Sequence, residues 1–321
     1  MSWVFLARDR VYKLKKPVRF PYLDFSTLTR REAACRAEVR LNRELAPDVY
    51  LGVVPLTQHA SGLALGGDGT VVDWLVVMRR LDESQTMEQS IIDKRVKYPQ
   101  LDQLADLLVR FYRHAPVARM TSEEYFADWW WNIAYNFRIL TEPSLGLPAG
   151  QLAYVKSAQI QFLRRRAAML RMRVRRHAIV DCHGDLRPEH IWLNKPVKII
   201  DRLEFNARLR AVDPFDEIAF LSVECERLGA SWAGDYIKRR VMRQLYPAPP
   251  EELLNFYRCC RATLRARLAI AHLLEPYPRT PEKWPRVARS YLRIAIADAV
   301  ELTRCLKKRA NPRVTCRRAA A

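Results

Sequence analysis

The segment HGDLRPEH, residues 183–190, places two histidines and two carboxylates within one short stretch of the chain. An apolar run, VKII, follows and ends at Asp201. If short strands flank the turn, then Asp185, His190 and Asp201 lie at the same end of a strand pair. Two carboxylates at such a position suit metal-assisted phosphoryl transfer, in which one orients the attacking hydroxyl and the other holds the cation.

The composition is that of a globular protein with a strong basic surplus. The 321 residues are 49% hydrophobic, which suits one large or two modest domains, and the net charge is +20. Such a surplus favours an anionic partner such as phosphate or nucleic acid, with an arginine-rich solvated surface as the alternative explanation. The charge concentrates in residues 164–176 and in a tail, 307–321, that we expect to be basic and disordered.

Composition and cysteine spacing also indicate the compartment. No apolar run reaches eighteen residues, and the N-terminus lacks the charge-then-apolar order of a signal peptide, so we expect a cytoplasmic protein without a membrane partner. The seven cysteines are scattered and never spaced CxxC, so neither a zinc module nor a disulfide framework is indicated.

The start of the chain predicts a β-hairpin and a helix. Two β-rich runs, 3–7 and 11–15, are joined by a connection of tight-turn length. Ser26 or Thr27 can then cap a helix that continues to about Leu45.

Two more strands are expected at 53–57 and 70–81. The GGDG segment, 66–69, lies before the second of them and lacks the Lys-Ser/Thr pair of a phosphate-binding loop. We therefore predict a hairpin turn at this segment.

Helical periodicity dominates from residue 84 onward. The aromatic cluster within 124–140 is typical of a core helix. The pattern predicts an α+β protein with two lobes, a β-rich N-terminal lobe at 1–80 and a helical C-terminal lobe at 81–306 that contains one small strand pair.

HGDLRPEH followed by IID at 199–201 resembles the catalytic loop and metal-binding aspartate of the aminoglycoside phosphotransferase family, within the protein-kinase-like superfamily. Three further segments, VYKLKKPVRFPYLDFSTL, EVRLNRELAPDVYLGVVPL and IIDRLEFNARLRAVDPFDEIAFL, extend the resemblance over nearly the whole chain, to an uncharacterised bacterial branch of that family. The resemblance implies a two-lobe protein-kinase-like fold and the transfer of a γ-phosphoryl group from ATP, with Mg²⁺ or Mn²⁺, to a hydroxyl of a small molecule.

The resemblance also implies residue roles. Asp185 would be the catalytic aspartate, His183 would brace the loop, and Asp201 would bind Mg²⁺. Asp216 would support the catalytic loop by hydrogen bonds, and a plain helix-capping role is equally compatible with its position.

A phosphate-binding lysine is expected on the second strand. Alternation favours Lys13, because Val11, two residues earlier on the same face, is apolar and suits a position near adenine, and Lys15 is the alternative. The partner carboxylate on the following helix is predicted to be Glu38. Met78, where the predicted lobes meet, is a further candidate for nucleotide binding.

This chain departs from the family pattern in two places. His190 stands where the family usually has an asparagine that binds a second Mg²⁺, and imidazole nitrogen suits Mn²⁺ or Zn²⁺ better. His190 therefore binds metal, contacts phosphate, or leaves a one-metal site. The chain also begins in what should be the second strand, so we expect the first strand and the phosphate-covering loop to be missing, through a misassigned start or a truncated lid.

Three functions were compared. The leading hypothesis is an ATP-dependent small-molecule kinase, and the alternative is a weak or inactive pseudokinase that binds nucleotide or nucleic acid through its basic surface. A hydrolytic metalloenzyme is less well supported, because its candidate ligands are too close in sequence to surround one ion. Those ligands would be Cys182, His183, Asp185 and His190.

The arginine-rich helices of the C-terminal lobe bear on the acceptor. A polycationic aminoglycoside would be repelled by a protein of this charge, so we expect an anionic acceptor. The arginines considered are Arg258, Arg261, Arg265 and Arg267.

Overall fold

The computed structural model describes residues 1–308, so residues 309–321 of the predicted tail lie outside the described residues. A curled antiparallel sheet precedes a mainly helical remainder, which confirms the predicted α+β class with its β-rich N-terminal and helical C-terminal parts. The strands are β1 (Ser2–Ala7), β2 (Arg10–Lys15), β3 (Arg19–Phe20), β4 (Leu23–Asp24), β5 (Tyr50–His59), β6 (Gly62–Leu65), β7 (Thr70–Arg79), β8 (Val180–Asp181), β9 (Ile191–Trp192), β10 (Lys198–Ile199) and β11 (Ala211–Val212). The helices are α1 (Leu28–Asn42), α2 (Met87–Ile92), α3 (Tyr98–His114), α4 (Ser122–Leu140), α5 (Ala149–Arg175), α6 (Ala207–Arg210), α7 (Pro214–Arg227), α8 (Ser231–Gln244), α9 (Glu251–Ala271) and α10 (Lys283–Lys308).

The main sheet has the strand order β1-β2-β7-β5-β6, with every neighbouring pair antiparallel. The expected hairpin is present as β1 and β2. In the register between β2 and β7, Val11 lies opposite Met78 and Lys13 lies opposite Val76. Because directly opposed residues share a face, Lys13 extends from a face lined by apolar neighbours.

The predicted hairpin turn at 66–69 is wrong. Strand β6 pairs with β5, with Leu65 opposite Leu56, whereas β7 pairs along the other edge of β5. The tight turn therefore precedes Gly62, whose φ of +123° is open to glycine but strained for other residues. The glycine-rich segment instead carries the chain from one edge of β5 to the other.

Helix α1 begins where the capping signal predicts and ends three residues before Leu45. The Thr27 hydroxyl accepts a hydrogen bond from the Arg30 backbone N–H at 3.3 Å. The inner face of the helix packs Cys35 and Val39 into a buried cluster shared with β7. The same face directs Glu38, which is 1% exposed, toward the sheet.

The described chain divides into two compact units. Unit 1 consists of Met1–Ala118 and Ile179–Tyr246, and unit 2 consists of Arg119–Ala178 with the chain from Pro247 onward. Unit 1 thus contains the sheet, α1–α3, α6–α8 and the HGDLRPEH loop, and unit 2 contains α4, α5, α9 and α10. The predicted lobe boundary near residue 80 falls inside unit 1.

Unit 2 is built around buried rings, which we call the aromatic core. Phe162 and Phe256 stack with ring centroids 4.2 Å apart, and Trp129 stacks on Tyr257 at 5.5 Å. Such pairs add to the stabilisation from burial alone. The expectation that the aromatic residues of α4 belong to a core is confirmed for Trp129, whereas 62% of Trp131 is exposed.

Disulfides and membrane-spanning helices can be assessed within residues 1–308. No disulfide joins the cysteines in this part of the chain. Among the helices that the structure describes, none combines the length and apolar character that crossing a membrane requires.

Candidate functional site

The HGDLRPEH loop runs from β8 into a 3-10 turn, Pro188–His190, which leads directly into β9. Strand β9 pairs with β10, with Ile191 opposite Ile199. This pairing brings the residue before β9, His190, and the residue shortly after β10, Asp201, to the same end of the hairpin. The proximity expected from the sequence is therefore present.

His183 connects this loop to the strand before Asp201. Its Nε2 donates to the Ile200 carbonyl at 2.9 Å, and its Nδ1 accepts from the Asp185 backbone N–H at 3.3 Å. Both contacts require a neutral ring with the proton on Nε2. Burial of the fully enclosed ring lowers the pKa of His183 to about 3, which agrees with that form. His183 lies in the position of a brace.

The carboxylate that holds the loop backbone is Glu217. It accepts hydrogen bonds from the backbone N–H groups of His183 at 3.1 Å and Gly184 at 2.6 Å, and from the Tyr112 hydroxyl at 2.8 Å. Asp216, to which the resemblance assigned this support, lies beside it, buried in the first turn of α7.

The N-cap residue of α7 is Asp213 rather than Asp216. The Asp213 side chain accepts a hydrogen bond from the Phe215 backbone N–H at 2.9 Å. The sequence DPFDE contains three acids within five positions. Spacing alone does not show which of them caps the helix and which contacts the loop.

Gly184 allows the loop to turn tightly. Its φ is +89°, and a Cβ at this position would lie 2.9 Å from Leu203 Cδ1. Any larger residue would therefore strain the backbone and push against Leu203.

The Asp201 side chain forms an ion pair with the predicted lysine, Lys13. Lys13 Nζ lies 2.7 Å from Asp201 Oδ1 and 2.6 Å from Glu38 Oε1. Partial burial acts to raise the pKa of the Asp201 carboxyl, but the adjacent Lys13 ammonium outweighs it and holds that pKa well below its usual value. The side chain of Asp201 is 37% exposed and is accessible to a ligand.

Tyr50 also fixes Asp201, and sequence reasoning missed this contact. The Tyr50 hydroxyl accepts a hydrogen bond from the Asp201 backbone N–H at 3.0 Å. Asp201 has a φ of +62°, which is uncommon for a residue other than glycine. The tyrosine contact helps to hold this conformation.

Lys15 extends from the same face as Lys13 and completes a buried ionic network. It forms ion pairs with Glu38 and with Glu204, and its side chain is only 3% exposed. Burial and the nearby Glu38 carboxylate raise the pKa of Glu204. Burial acts to raise the pKa of Glu38 too, but the two lysines lower it. The members of the buried ionic network are Lys13, Lys15, Glu38, Asp201 and Glu204.

The two lysines occupy different places in this network. Lys13 contacts the partly exposed Asp201, whereas Lys15 lies between two enclosed carboxylates. The structure therefore places Lys13 at the accessible end and Lys15 in the interior.

Helix α1 is tied to the Asp201 segment by a second set of contacts. Asn42 Oδ1 accepts from the Arg202 backbone N–H at 2.8 Å. The fully buried Arg202 guanidinium forms ion pairs with Glu44 at 2.7 Å and Asp181 at 2.9 Å. The Asn42 contact fixes the end of α1, the helix that supplies Glu38, relative to the segment that contains Asp201.

His190 lies between the two candidate carboxylates. Its Nδ1 is 3.0 Å from the backbone carbonyl oxygen of Asp185 and 3.7 Å from Asp185 Oδ2. Its Nε2 is 3.9 Å from Asp201 Oδ2. The residue that departs from the family pattern thus faces Asp201 directly.

Arg187 is a site residue that sequence reasoning did not assign. Its Nη1 lies 3.5 Å from Asp185 Oδ2, and its guanidinium forms an ion pair with Glu189. Arg187 Nε and Glu189 Oε2 are buried and have no hydrogen-bond partner. The available signal was a cation two positions after Asp185.

The remaining nucleotide candidate, Met78, is 4% exposed. It belongs to a cluster with Trp192 and Ile200, against which the partly buried Val11 packs. Val11 and Met78 thus form an apolar wall on the face that carries Lys13.

The arginines considered for acceptor binding lie in unit 2, where they contact other side chains. Arg258 Nε lies 3.1 Å from Asp298 Oδ1, Arg265 donates to the Tyr291 hydroxyl, and Arg267 donates to Asn136. These intramolecular contacts account for much of their hydrogen-bonding capacity. An anionic acceptor therefore remains a prediction that rests on the net charge.

A metallohydrolase site is not supported. Within residues 1–308, no group of three or more histidine, cysteine, aspartate or glutamate side chains is arranged to hold an ion. Cys182, one of the ligands considered, is fully buried, and burial raises the pKa of its thiol well above the ordinary value.

Comparisons with known sequences give relatives without an assigned function. No family model matches the chain. It is 30% identical over 282 residues to uncharacterised proteins of Mycobacterium tuberculosis and Mycobacterium bovis. The match covers 86% of this chain and 54% of those proteins, so the chain spans about half the length of these curated relatives.

Similar solved structures are phosphotransferases and small-molecule kinases. A putative aminoglycoside phosphotransferase from Ralstonia eutropha has 12% identity and a TM-score of 0.48, covering 94% of this chain and 92% of its own. Choline kinase from Cryptosporidium parvum has 8% identity and a TM-score of 0.47, with coverages of 94% and 83%. Ethanolamine kinase from Plasmodium vivax has 11% identity and a TM-score of 0.46, with coverages of 92% and 77%.

Proposed function

We propose that this chain is a phosphotransferase of the aminoglycoside-phosphotransferase type, which moves the γ-phosphoryl group of ATP to a hydroxyl of a small molecule. One observation carries the proposal. Lys13 Nζ lies within 2.7 Å of both a buried helix carboxylate, Glu38, and the partly exposed Asp201. A lysine held in this way by a helix glutamate, beside a carboxylate that can bind a cation, is the arrangement that protein-kinase-like enzymes use for phosphoryl transfer from ATP.

The nucleotide would lie along the face of β2 that carries Val11 and Lys13. The apolar wall of Val11 and Met78 suits a purine ring, and the Lys13 ammonium, two residues further along the same face, suits the phosphates. Glu38 keeps Lys13 charged and oriented, since an opposite charge at this distance favours the ionised lysine.

The transfer itself would take place at Asp185. Its carboxylate orients the acceptor hydroxyl and accepts its proton while the acceptor oxygen forms a bond to the γ-phosphorus, and the bond between that phosphorus and the β,γ-bridging oxygen breaks. Arg187, 3.5 Å from the carboxylate, supplies positive charge near the transferred group. His183 stays neutral and holds the loop, because its ring nitrogens are both occupied by backbone contacts.

A divalent cation would be held by Asp201 together with His190. Asp201 Oδ2 and His190 Nε2 face each other at 3.9 Å, and both are donors that divalent metals accept. A bound cation would neutralise charge on the phosphate oxygens.

The proposal is tested by binding and hydrolysis of ATP. We expect the purified chain to bind Mg-ATP in calorimetry and to hydrolyse ATP slowly, with water as the acceptor. Asp201→Ala should abolish the hydrolysis, whereas Asp235→Ala, which removes an exposed carboxylate on α8, should not. Failure of the wild-type chain to bind nucleotide would contradict the proposal.

A pseudokinase is the second candidate, favoured by the His190 departure and the net charge of +20. In that case nucleotide binds but no phosphoryl transfer follows, or the basic surface binds nucleic acid. Nucleic-acid binding of this kind would weaken steeply with salt and would be lost on deleting residues 307–321.

A further inference from the structure

We propose that His190 and Asp201 form an N,O-ligand pair that makes the cation site prefer Mn²⁺ to Mg²⁺. The inference rests on the proposed function and specifies its metal. Of the three roles that the sequence leaves open for His190, the geometry points to direct metal binding.

The hydrogen bond of His190 fixes which nitrogen can bind a metal. Its Nδ1 lies 3.0 Å from the Asp185 backbone carbonyl oxygen, and a carbonyl oxygen can only accept. Nδ1 therefore carries the proton in the neutral ring, and Nε2 retains its lone pair. The ring is 14% exposed and stacks with His183 at a centroid distance of 6.2 Å, which restricts its rotation.

The two carboxylate oxygens of Asp201 face different partners. Oδ1 accepts from Lys13 at 2.7 Å, whereas Oδ2 faces His190 Nε2 at 3.9 Å. Two donors that each lie about 2.1 Å from one ion can be at most about 4.2 Å apart, so both atoms can reach the same ion. Glu38, 2.6 Å from Lys13, offsets the charge of the lysine beside this position.

The chemical types of these two donor atoms, one nitrogen and one oxygen, favour one cation over the other. Mg²⁺ prefers oxygen ligands in near-octahedral geometry, whereas imidazole nitrogen is accepted more readily by divalent transition metals. The remaining positions would be filled by phosphate oxygens and water. The protein would then supply two ligands, Asp201 Oδ2 and His190 Nε2.

Comparison with His190→Asn tests the preference. Wild type and variant are titrated with ADP in the presence of Mn²⁺ or Mg²⁺ by calorimetry, and Mn²⁺ binding is followed independently by the loss of its free-ion electron paramagnetic resonance signal. Because nucleotides have their own metal preference, the measured quantity is the ratio of the two dissociation constants in each protein. We expect the wild-type ratio to favour Mn²⁺ by about 10-fold or more over the ratio in His190→Asn.

The matched control is His114→Asn, which changes an exposed histidine at the end of α3 and should keep the wild-type ratio. Equal ratios in wild type and His190→Asn would overturn the inference. If thermal melting shows that His190→Asn is unfolded, competition in the wild type decides the matter. Displacement of bound Mn²⁺ by an equimolar amount of Mg²⁺ would overturn the inference, and retention would support it.

Failure of the inference differs from failure of the proposed function. Binding of ADP with Mg²⁺ but without a preference for Mn²⁺ overturns the metal assignment alone. Absence of ADP binding with either cation overturns the proposed function.

Discussion

Each of the two units contains a different buried cluster. Unit 1 encloses the buried ionic network, in which two lysines alternate with three carboxylates, whereas unit 2 encloses the aromatic core. Removing a charge from water costs several kcal/mol, and even a well-paired ion often contributes no more stability than an apolar replacement. Stacked rings carry no such cost.

This difference supports the proposal that unit 1 holds the functional site. Unit 2 shows that this sequence can fill an interior with aromatic and aliphatic groups. Unit 2 also encloses the ion pairs Arg166–Glu252 and Arg258–Asp298, but the ionic network of unit 1 ends at the partly exposed Asp201. Buried charges with perturbed pKa values concentrate at functional sites. The comparison predicts that changes at the site alter activity, whereas changes in the aromatic core alter folding.

The largest effect is expected from Asp185→Asn. The amide cannot accept the proton of the attacking hydroxyl, so ATP hydrolysis should fall by about 10²–10⁴-fold. Nucleotide affinity and the melting temperature should stay close to wild type, because Lys13, Glu38 and Asp201 are unchanged. A variant that hydrolyses ATP at the wild-type rate would show that Asp185 is not the catalytic aspartate.

Phe162→Ala tests the prediction that changes in the aromatic core alter folding. Phe162 is fully buried and stacks on Phe256, so its truncation should lower the free energy of unfolding by about 3–5 kcal/mol in chemical denaturation. Nucleotide affinity per folded molecule should not change. Trp131→Ala, at a position that is 62% exposed, is the matched control and should cost less than about 1 kcal/mol. Equal losses from the two variants would refute the assignment of the aromatic core.

A smaller loss of folding stability is expected as the pH falls, because of His183. Its pKa is depressed by burial from 6.5 to about 3, so between those values the unfolded chain binds a proton that the folded chain does not. The stability that depends on the neutral ring is complete above pH 6.5 and declines below it, by about 2 kcal/mol at pH 5.

Denaturation at pH 7 and pH 5 measures this loss. His183→Gln should reduce the difference between the two pH values, whereas His114→Gln, at an exposed histidine, should leave it as in the wild type. An unchanged pH dependence in His183→Gln would mean that the ring does not carry the effect.

Much of the site could be read from local sequence. The HGD and IID segments, the cap at Thr27 and the alternation on β2 concern neighbours along the chain, and each predicted the observed local structure. The proximity of His190 to Asp201 followed from one short hairpin.

Contacts between distant segments could not be read in this way. Tyr50 reaches Asp201 across 151 positions, and Asn42 reaches Arg202 across 160. No periodicity marks either partner, because the contacts depend on how the sheet and α1 pack. The strand order around β5 was missed for the same reason. The glycine-rich segment 66–69 could either form a hairpin turn or connect strands on opposite edges of β5.

The central claim is that Lys13, rather than Lys15, contacts the nucleotide phosphates. Calorimetric titration of Mg-ATP into wild type, Lys13→Met and Lys15→Met tests it most directly, with thermal melting to confirm that each variant is folded. The account predicts that Lys13→Met weakens binding by about 10–100-fold, the usual effect of losing a hydrogen bond to a charged group, and that Lys15→Met changes it by less than about 3-fold. A folded Lys13→Met variant that binds Mg-ATP as tightly as wild type would contradict the account.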